Sequence, residues 1–236
     1  MGSSSLSGTG AHYQPVSVPA LVGRLVEDVL DRSAEARSLG CGVRIGVDAP
    51  VADDGRDLAD ALAAALAERG LPVARVRQAG FLRPRSIRLE YGADDPDAAW
   101  ERWYDDAGLR REVLDPLGPS GAMTWVESLW DADADRASRA PRRPAAPGTV
   151  VVVDGRFLLR WELADAFELA VHLQTSEAAQ ARRTADDADR RRLLPSWRRY
   201  LDETDPVGRL LTGVASGIVV RYEDPRHPAL VSPAAD

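Results

Sequence analysis

Residues Arg44 to Asp60 read RIGVDAPVADDGRDLAD, and the reading of this stretch decides the fold. Val43 to Val47 is an apolar run of strand length, and Asp48-Ala49-Pro50 has turn chemistry. A helical period then sets in near Arg56, with Leu58, Leu62, Ala65 and Leu66 on one face and Gly70 as its stop. Strand, tight loop and helix is the layout of a phosphate-binding loop, whose backbone N–H groups face an anion at the helix N-terminus. The charges here have the opposite sign. Asp53, Asp54 and Asp57 stand where a polyphosphate needs bare amides and a cation. Acids near a helix N-terminus are also favourable dipole partners, each worth about 0.5–1 kcal/mol, so capping explains them without a ligand. The alternative is that these carboxylates now bind a cation or act as acid/base groups, with Asp48 and Asp154 at the ends of neighbouring strands as partners.

Outward from this stretch, Leu21, Val22, Leu25, Val26, Val29 and Leu30 predict an amphipathic helix before it, and Pro72 to Val76 a short strand after it. Residues 1–16 are Ser/Gly-rich and are expected to be a tail. Gln78 to Arg88 is broken by Gly80 and Pro84 into a loop, and Pro96 to Leu117 reads as mainly helical. A short strand or hairpin is expected around Met123 to Trp130. Thr149 to Val153 carries four consecutive valines, the pattern of a strand buried on both faces of a parallel sheet, with Asp154 at the edge where such sheets place ligands. Glu168 to Leu173 and Gly217 to Arg221 are further strands, and Ser176 caps a helix between them. Strands alternating with helices define an α/β fold of three layers with about five parallel strands flanked by helices.

Composition narrows the function classes. At 236 residues with 44% hydrophobic content the chain can bury a sizeable core. A net charge of −7 argues against a nucleic-acid partner. The lack of a long apolar run argues against a membrane partner, and with no signal-peptide pattern the expected location is cytoplasmic. One cysteine, Cys41, excludes an internal disulfide, and no histidine or cysteine spacing suggests a metal site. All 30 basic residues are arginine. Richness in Ala, Arg, Asp and Pro points to a high-GC, actinobacterial genome, and whatever its origin, no side-chain amine exists to grip β/γ-phosphates.

The order RIGVD-loop-helix, FLRPR, YDDAGLRREVLDPLGP, VVVVDGRFLLR and RYLDETDP resembles actinobacterial uridine kinase-like proteins of the P-loop nucleoside kinase superfamily, over about residues 20–230. The resemblance implies a P-loop kinase-like domain over residues 17–232, with an acceptor-site insertion at about 83–148 and a lid at about 182–198. Its phosphate loop reads like GVDGPDAAGKTTLA, which puts Ala49 at the first glycine, Asp54 at the second, Gly55 at the lysine and Arg56 at the metal-binding hydroxyl. Shifted by one residue, Gly55 and Arg56 fall at the glycine-lysine pair, Asp57 at the hydroxyl and Pro50 at the first glycine, and neither register restores the motif. Ala79 and Gly80 fall where the acidic base is expected, and Ala185 and Asp186 where lid arginines would close. The acceptor half matches better. Tyr104-Asp105 and Trp130-Asp131 match two aromatic-Asp pairs, Arg83-Pro84-Arg85 the R-P-R segment, and Arg192 and Tyr200 the region beyond the lid.

These matches lead to one expectation and two alternatives. The expectation is a uridine-kinase-like scaffold that works without ATP or Mg²⁺, as a cyclase, lyase or isomerase of specialised metabolism. Its acid/base groups would be Asp48, Asp105 and Asp154. Its walls would come from Arg83, Arg85, Trp100, Trp103, Tyr104, Trp125, Trp130, Asp131, Arg192 and Tyr200, around an aromatic or hydrophobic small molecule. Core packing accounts for any one of the tryptophans equally well. The arginines at 182–183, 190–192 and 198–199 read as solvated helix faces paired with Asp186, Asp187 and Asp189, and His172 as a satisfied strand residue. The alternatives are a pseudokinase binding module and an atypical nucleoside kinase; a homodimer is an open option.

Overall fold

A computed structural model describes residues 11–92, 95–184 and 186–233. Residues 1–10 of the expected tail, and Ala185 of the two lid positions, lie outside these. Seven strands form the central sheet: β1 His12–Pro15, β2 Val43–Asp48, β3 Val73–Arg77, β4 Val150–Gly155, β5 Leu169–Gln174, β6 Gly217–Arg221 and β7 Ala229–Ser232. Their order is β1-β7-β6-β5-β2-β4-β3. The five strands β6, β5, β2, β4 and β3 run parallel, as the alternating pattern predicts, and β7 and β1 add antiparallel to one edge. Val47 of β2 lies between Asp154 and Val171, which brings the C-terminal ends of the three central strands together.

Every residue of β2 is buried, and so are Val150–Asp154 and Leu169–Leu173, which is why these strands read as unbroken apolar runs. Helices α1 (Val18–Leu39) and α2 (Ala52–Glu68) cover one face, packing Leu21, Leu25, Val29, Leu58, Leu62 and Leu66 on Ile45, Val47, Val152 and Val171. The opposite face is covered in two halves. A long helix follows the short α3 (Glu177–Arg183): this is α4 (Asp187–Thr204), which sets Trp197 and Tyr200 on Ala170 and Val219, ahead of α5 (Pro206–Leu211). Helical segment 106–117 packs Leu109, Leu114 and Leu117 on Ala74, Val76, Val151 and Val153. No helix of the described residues is long and apolar enough to cross a membrane.

Four sequence expectations are corrected here. Helix α2 starts at Ala52, one turn before Arg56. Residues 12–15 leave the expected tail to pair with 229–232, a strand also missed; HYQP is polar and exposed, so only a neighbouring edge makes it a strand. Helicity between 96 and 117 breaks at 102–105, where Leu82 bridges Tyr104 and the Arg83 and Asp105 amides bond to Trp103 and Phe81. Around 123–130 the short-strand alternative holds, at Thr124–Trp125, and the hairpin alternative does not: two separate two-residue ladders join 124–125 to 143–144 and 130–131 to 136–137.

Candidate functional site

The connection from β2 to α2 is only Ala49-Pro50-Val51, and all three residues are buried. A phosphate cradle needs a longer non-helical run of inward-facing amides. Here Gly55, at the position aligned with the lysine, already bonds into the helix through Val51 O, and the amide of Ala49 donates to Gly155 O at 2.9 Å. A Cβ on Gly55 would come within 2.9 Å of the Ala49 methyl, so the first turn of α2 lies directly on the strand end. Asp53 and Asp54 stand in that first turn, the N-cap Val51 makes no side-chain cap bond, and Arg56 pairs with Asp53 at 2.9 Å and Asp57 at 3.7 Å on its own helix.

Asp54 points inward and forms a 2.8 Å ion pair with Arg183 of α3, whose guanidinium also donates to Tyr222 O. Arg183 therefore docks on α2 and is no solvated partner of the 186–189 acids; Arg190 pairs with Asp187 and Arg192 with Asp189, the Arg192 side chain being largely buried. Burial pushes the Asp54 carboxyl up to about 6 against the pull of Arg183, with Asp57 and Asp53 adding to the rise. The folded chain thus holds this proton more tightly than the unfolded one. The stability it contributes is fully present below the ordinary carboxylate value and is lost as pH rises through about 6. Between about pH 4.5 and about pH 7.5 the unfolding free energy of wild type should fall by about 1 kcal/mol relative to Asp54→Asn, allowing for solvent screening. Urea unfolding at both pH values checks this; identical changes in the two proteins would refute it.

Asp48 is wholly buried at the end of β2. Its Oδ2 accepts from the Tyr200 hydroxyl at 2.7 Å and faces His172 Nδ1 at 2.8 Å, which places the imidazole proton on Nδ1; its Oδ1 accepts from Leu158 N at 3.0 Å. The His172 ring stacks on Trp197 at 5.9 Å. Asp154 is paired with Arg75 at 2.6 Å, and Arg75 in turn with Asp60 at 2.8 Å; burial raises the Asp154 carboxyl while Arg75 and Arg77 oppose the rise. Asp105 caps the following helix, accepting from Gly108 N at 3.0 Å. The three carboxylates assigned to acid/base work are thus held in anchoring contacts, and none of them lines the cavity that opens beside Tyr104.

The next residue does. Asp106 is buried at the floor of a cavity of about 370 Å³ walled by Arg83, Glu101, Tyr104, Arg110, Arg160 and Glu162. Its Oδ2 accepts from Arg160 at 2.6 Å and its Oδ1 from Gln78 Nε2 at 3.3 Å. Gln78 directly follows β3, one residue before the positions aligned with the base, and its Oε1 accepts from Arg156 N at 2.8 Å. A side chain on Gly155 would overlap that Oε1, so the glycine of VVVVDGR is required by this close approach. Arg156 itself reaches Pro50 O at 2.8 Å and the Tyr104 hydroxyl at 3.5 Å. Burial lifts the Asp106 carboxyl above the ordinary carboxylate range, against Arg160 and Gln78. Gln78, Asp106, Arg156 and Arg160 were missed from sequence; the signals were a polar residue ending a strand and the second acid of Asp105-Asp106.

The remaining candidates scatter. Trp100, Trp103 and Tyr200 join Phe157 and Trp197 in the core under α4, with Arg160 over the Trp100 face at 4.4 Å and Arg192 over Trp103 at 5.7 Å. Trp125 packs in the other half of that layer. Trp130 donates to Asp135, Asp131 accepts from Ala134 N, and Arg85 stands exposed at the head of a one-turn helix. Among the described residues no three His, Cys, Asp or Glu side chains converge as a metal site would require.

Five parallel strands in this order, with α2 rising from the end of β2, give an α/β fold like that of P-loop kinases. The "possible uridine kinase" of Bacillus stearothermophilus superposes with a TM-score of 0.59 at 18% identity, over 79% of this chain and 95% of that one. The D-glycerate 3-kinase of Cryptococcus neoformans var. grubii matches with a TM-score of 0.51 at 14% identity, over 86% and 95% of the two chains. At such identities the likeness is one of fold. No protein-family model matches the chain, and no curated protein does so in sequence.

Proposed function

We propose that this P-loop kinase-like chain does not transfer phosphate from ATP and instead turns over a small molecule in the cavity under Tyr104. It would be a non-phosphorylating enzyme of the lyase, isomerase or cyclase kind, with the Asp106 carboxyl as its acid/base group. The observation that carries the reading is the three-residue, buried β2–α2 connection. Phosphoryl transfer depends on positioning and charge neutralisation. Two unit charges about 4 Å apart interact by roughly 4 kcal/mol at an effective dielectric constant near 20. Carboxylates at Asp53, Asp54 and Asp57 turn that term into repulsion, and the one arginine among them, Arg56, is paired with its own neighbours. Arg183, from the lid side, is bound to Asp54 and Tyr222. A buried carboxyl at a cavity, its proton held above the ordinary carboxylate range by burial, suits acid/base work.

Structures on which this chain superposes include a "possible uridine kinase" and a D-glycerate 3-kinase, so ATP is the discriminating ligand. Calorimetric titration with ATP and Mg²⁺ should give no saturable heat up to about 1 mM, weaker than about −4 kcal/mol of binding. A micromolar dissociation constant would overturn the reading in favour of a kinase.

A further inference from the structure

The cavity's own chemistry goes further than its location. Because it rests on the reading that this cavity is the working site, the inference concerns what that site takes. We infer that it takes a small hydroxylated oxyanion, its acidic group on Arg83 and a hydroxyl on Asp106, and not a nucleobase or an apolar ring.

The charges of the wall support this residue by residue. Arg110 is bound to Asp165 at 2.7 Å and Asp115 at 3.2 Å, and Arg160 to Asp106 and Glu162. Glu101 is held by Arg102 and Arg199. Arg83 differs: among the described residues its guanidinium has no carboxylate, carbonyl or ring partner, although its backbone is fixed. Its N–H donates to Trp103 O at 2.8 Å, its carbonyl accepts from Arg88 Nε at 2.9 Å, and the bridge between Leu82 and Tyr104 sits beside it. A cation on an anchored stem, facing a cavity whose acids are already paired, is prepared for an incoming carboxylate or phosphate.

Asp106 sets the second requirement. Each of its oxygens accepts one protein donor, and a carboxylate oxygen has room for two. A hydroxyl of the ligand fills the remaining acceptor position. The Tyr104 hydroxyl, reached from behind by Arg156, keeps its own proton to donate.

The aromatic side chains exclude the competing class. Trp100 is edge-on to Phe157 at 5.4 Å and tilted on Tyr200 at 5.6 Å, and Arg160 covers its other face. Trp103 does not line the cavity, leaving Tyr104 as the one aromatic wall, with no opposed pair of faces to sandwich a base. About 370 Å³ lies at the small end of ligand pockets.

The test is calorimetric titration of the full chain with four probes: gluconate, ribose 5-phosphate, uncharged ribose and uridine. Gluconate, ribose 5-phosphate or both should bind at least tenfold more tightly than ribose and uridine, and which of the two wins distinguishes a carboxylate from a phosphate monoester. Arg83→Ala should weaken the bound oxyanion at least thirtyfold, Arg83→Lys should restore part of that loss, and Asp106→Asn should weaken it while leaving the preference over ribose. Among the described residues the Arg83 guanidinium holds no partner, so its variants should keep the wild-type melting temperature. Uridine binding as tightly as either oxyanion, neither oxyanion binding, or Arg83→Ala leaving affinity within twofold would each overturn the inference. Tight ATP binding with Arg83-dependent oxyanion binding would sink the non-kinase reading and leave this one standing.

Discussion

Replacing Asp48 with alanine is expected to destabilise the fold by about 4–6 kcal/mol, a large part of the roughly 5–15 kcal/mol that holds a domain together. The reason is what the carboxylate leaves behind. Tyr200, His172 and Leu158 N all point at it in a region with no access to water. Each buried donor stranded without an acceptor costs about 1–3 kcal/mol, which for three donors exceeds any relief from removing the acid. Asp48→Asn should lose about half as much, since one amide oxygen can still serve Leu158 N or Tyr200 but not all three donors. Urea unfolding of the two variants checks the order; a loss below about 1.5 kcal/mol for alanine would mean that water or a shifted side chain takes the place of the carboxylate.

Phe157→Ala should cost about 3–5 kcal/mol and lower the melting temperature by about 6–20 °C for a chain of this size. The ring is fully buried and contacts Trp100, Tyr104, Trp197 and Tyr200 at centroid distances of 5.4 to 6.2 Å. Removing it opens a hole that four large, mutually locked side chains cannot collapse to fill. Phe157 adopts a left-handed φ of 62°, a conformation that alanine also finds unfavourable, so the substitution gains nothing from released strain. The near-ultraviolet circular dichroism of the tryptophans should weaken with it. A melting-temperature change under about 3 °C would show that this cluster is not the joint between α4 and the cavity wall.

That joint explains why the aromatic residues misled a reading from sequence. Trp100, Trp103 and Tyr104 cluster in the chain, and a cluster of aromatics suits a ligand wall as well as a core. Only the arrival of Phe157 and of Trp197 and Tyr200 from distant segments decides that all three are core, with Tyr104 also bordering the cavity. The same holds for the acids. Asp105 and Asp106 are adjacent and chemically identical, yet the helix that starts after Asp105 needs an N-cap for Gly108 N, which ties Asp105 to the helix end. The next residue, turned about 100° around the helix axis, then faces the cavity. Local chemistry offers two carboxylates, and helix phase chooses between them.

Arg183 makes the complementary point. Seven arginines lie between 182 and 199, and their spacing to Asp187 and Asp189 describes most of them as a solvated face. Which one crosses to Asp54 depends on where α3 ends over α2, a quantity no local pattern carries.

By itself the sequence determined the parallel sheet, because strands buried on both faces must be apolar throughout and Val43 to Val47 and Val150 to Val153 are. It also determined the helix faces of α1 and α2 and the acidic character of the turn after β2, since periodicity and charge are local properties. Only the tertiary structure decided that the turn closes to three residues, that Asp48 and Asp154 anchor, and that Asp106 and Arg83 share a cavity. Asp48 meets Tyr200, Asp154 meets Arg75 and Asp106 meets Arg160 across more than fifty residues of chain, and for these buried groups the requirement of a partner is satisfied between elements, not within them.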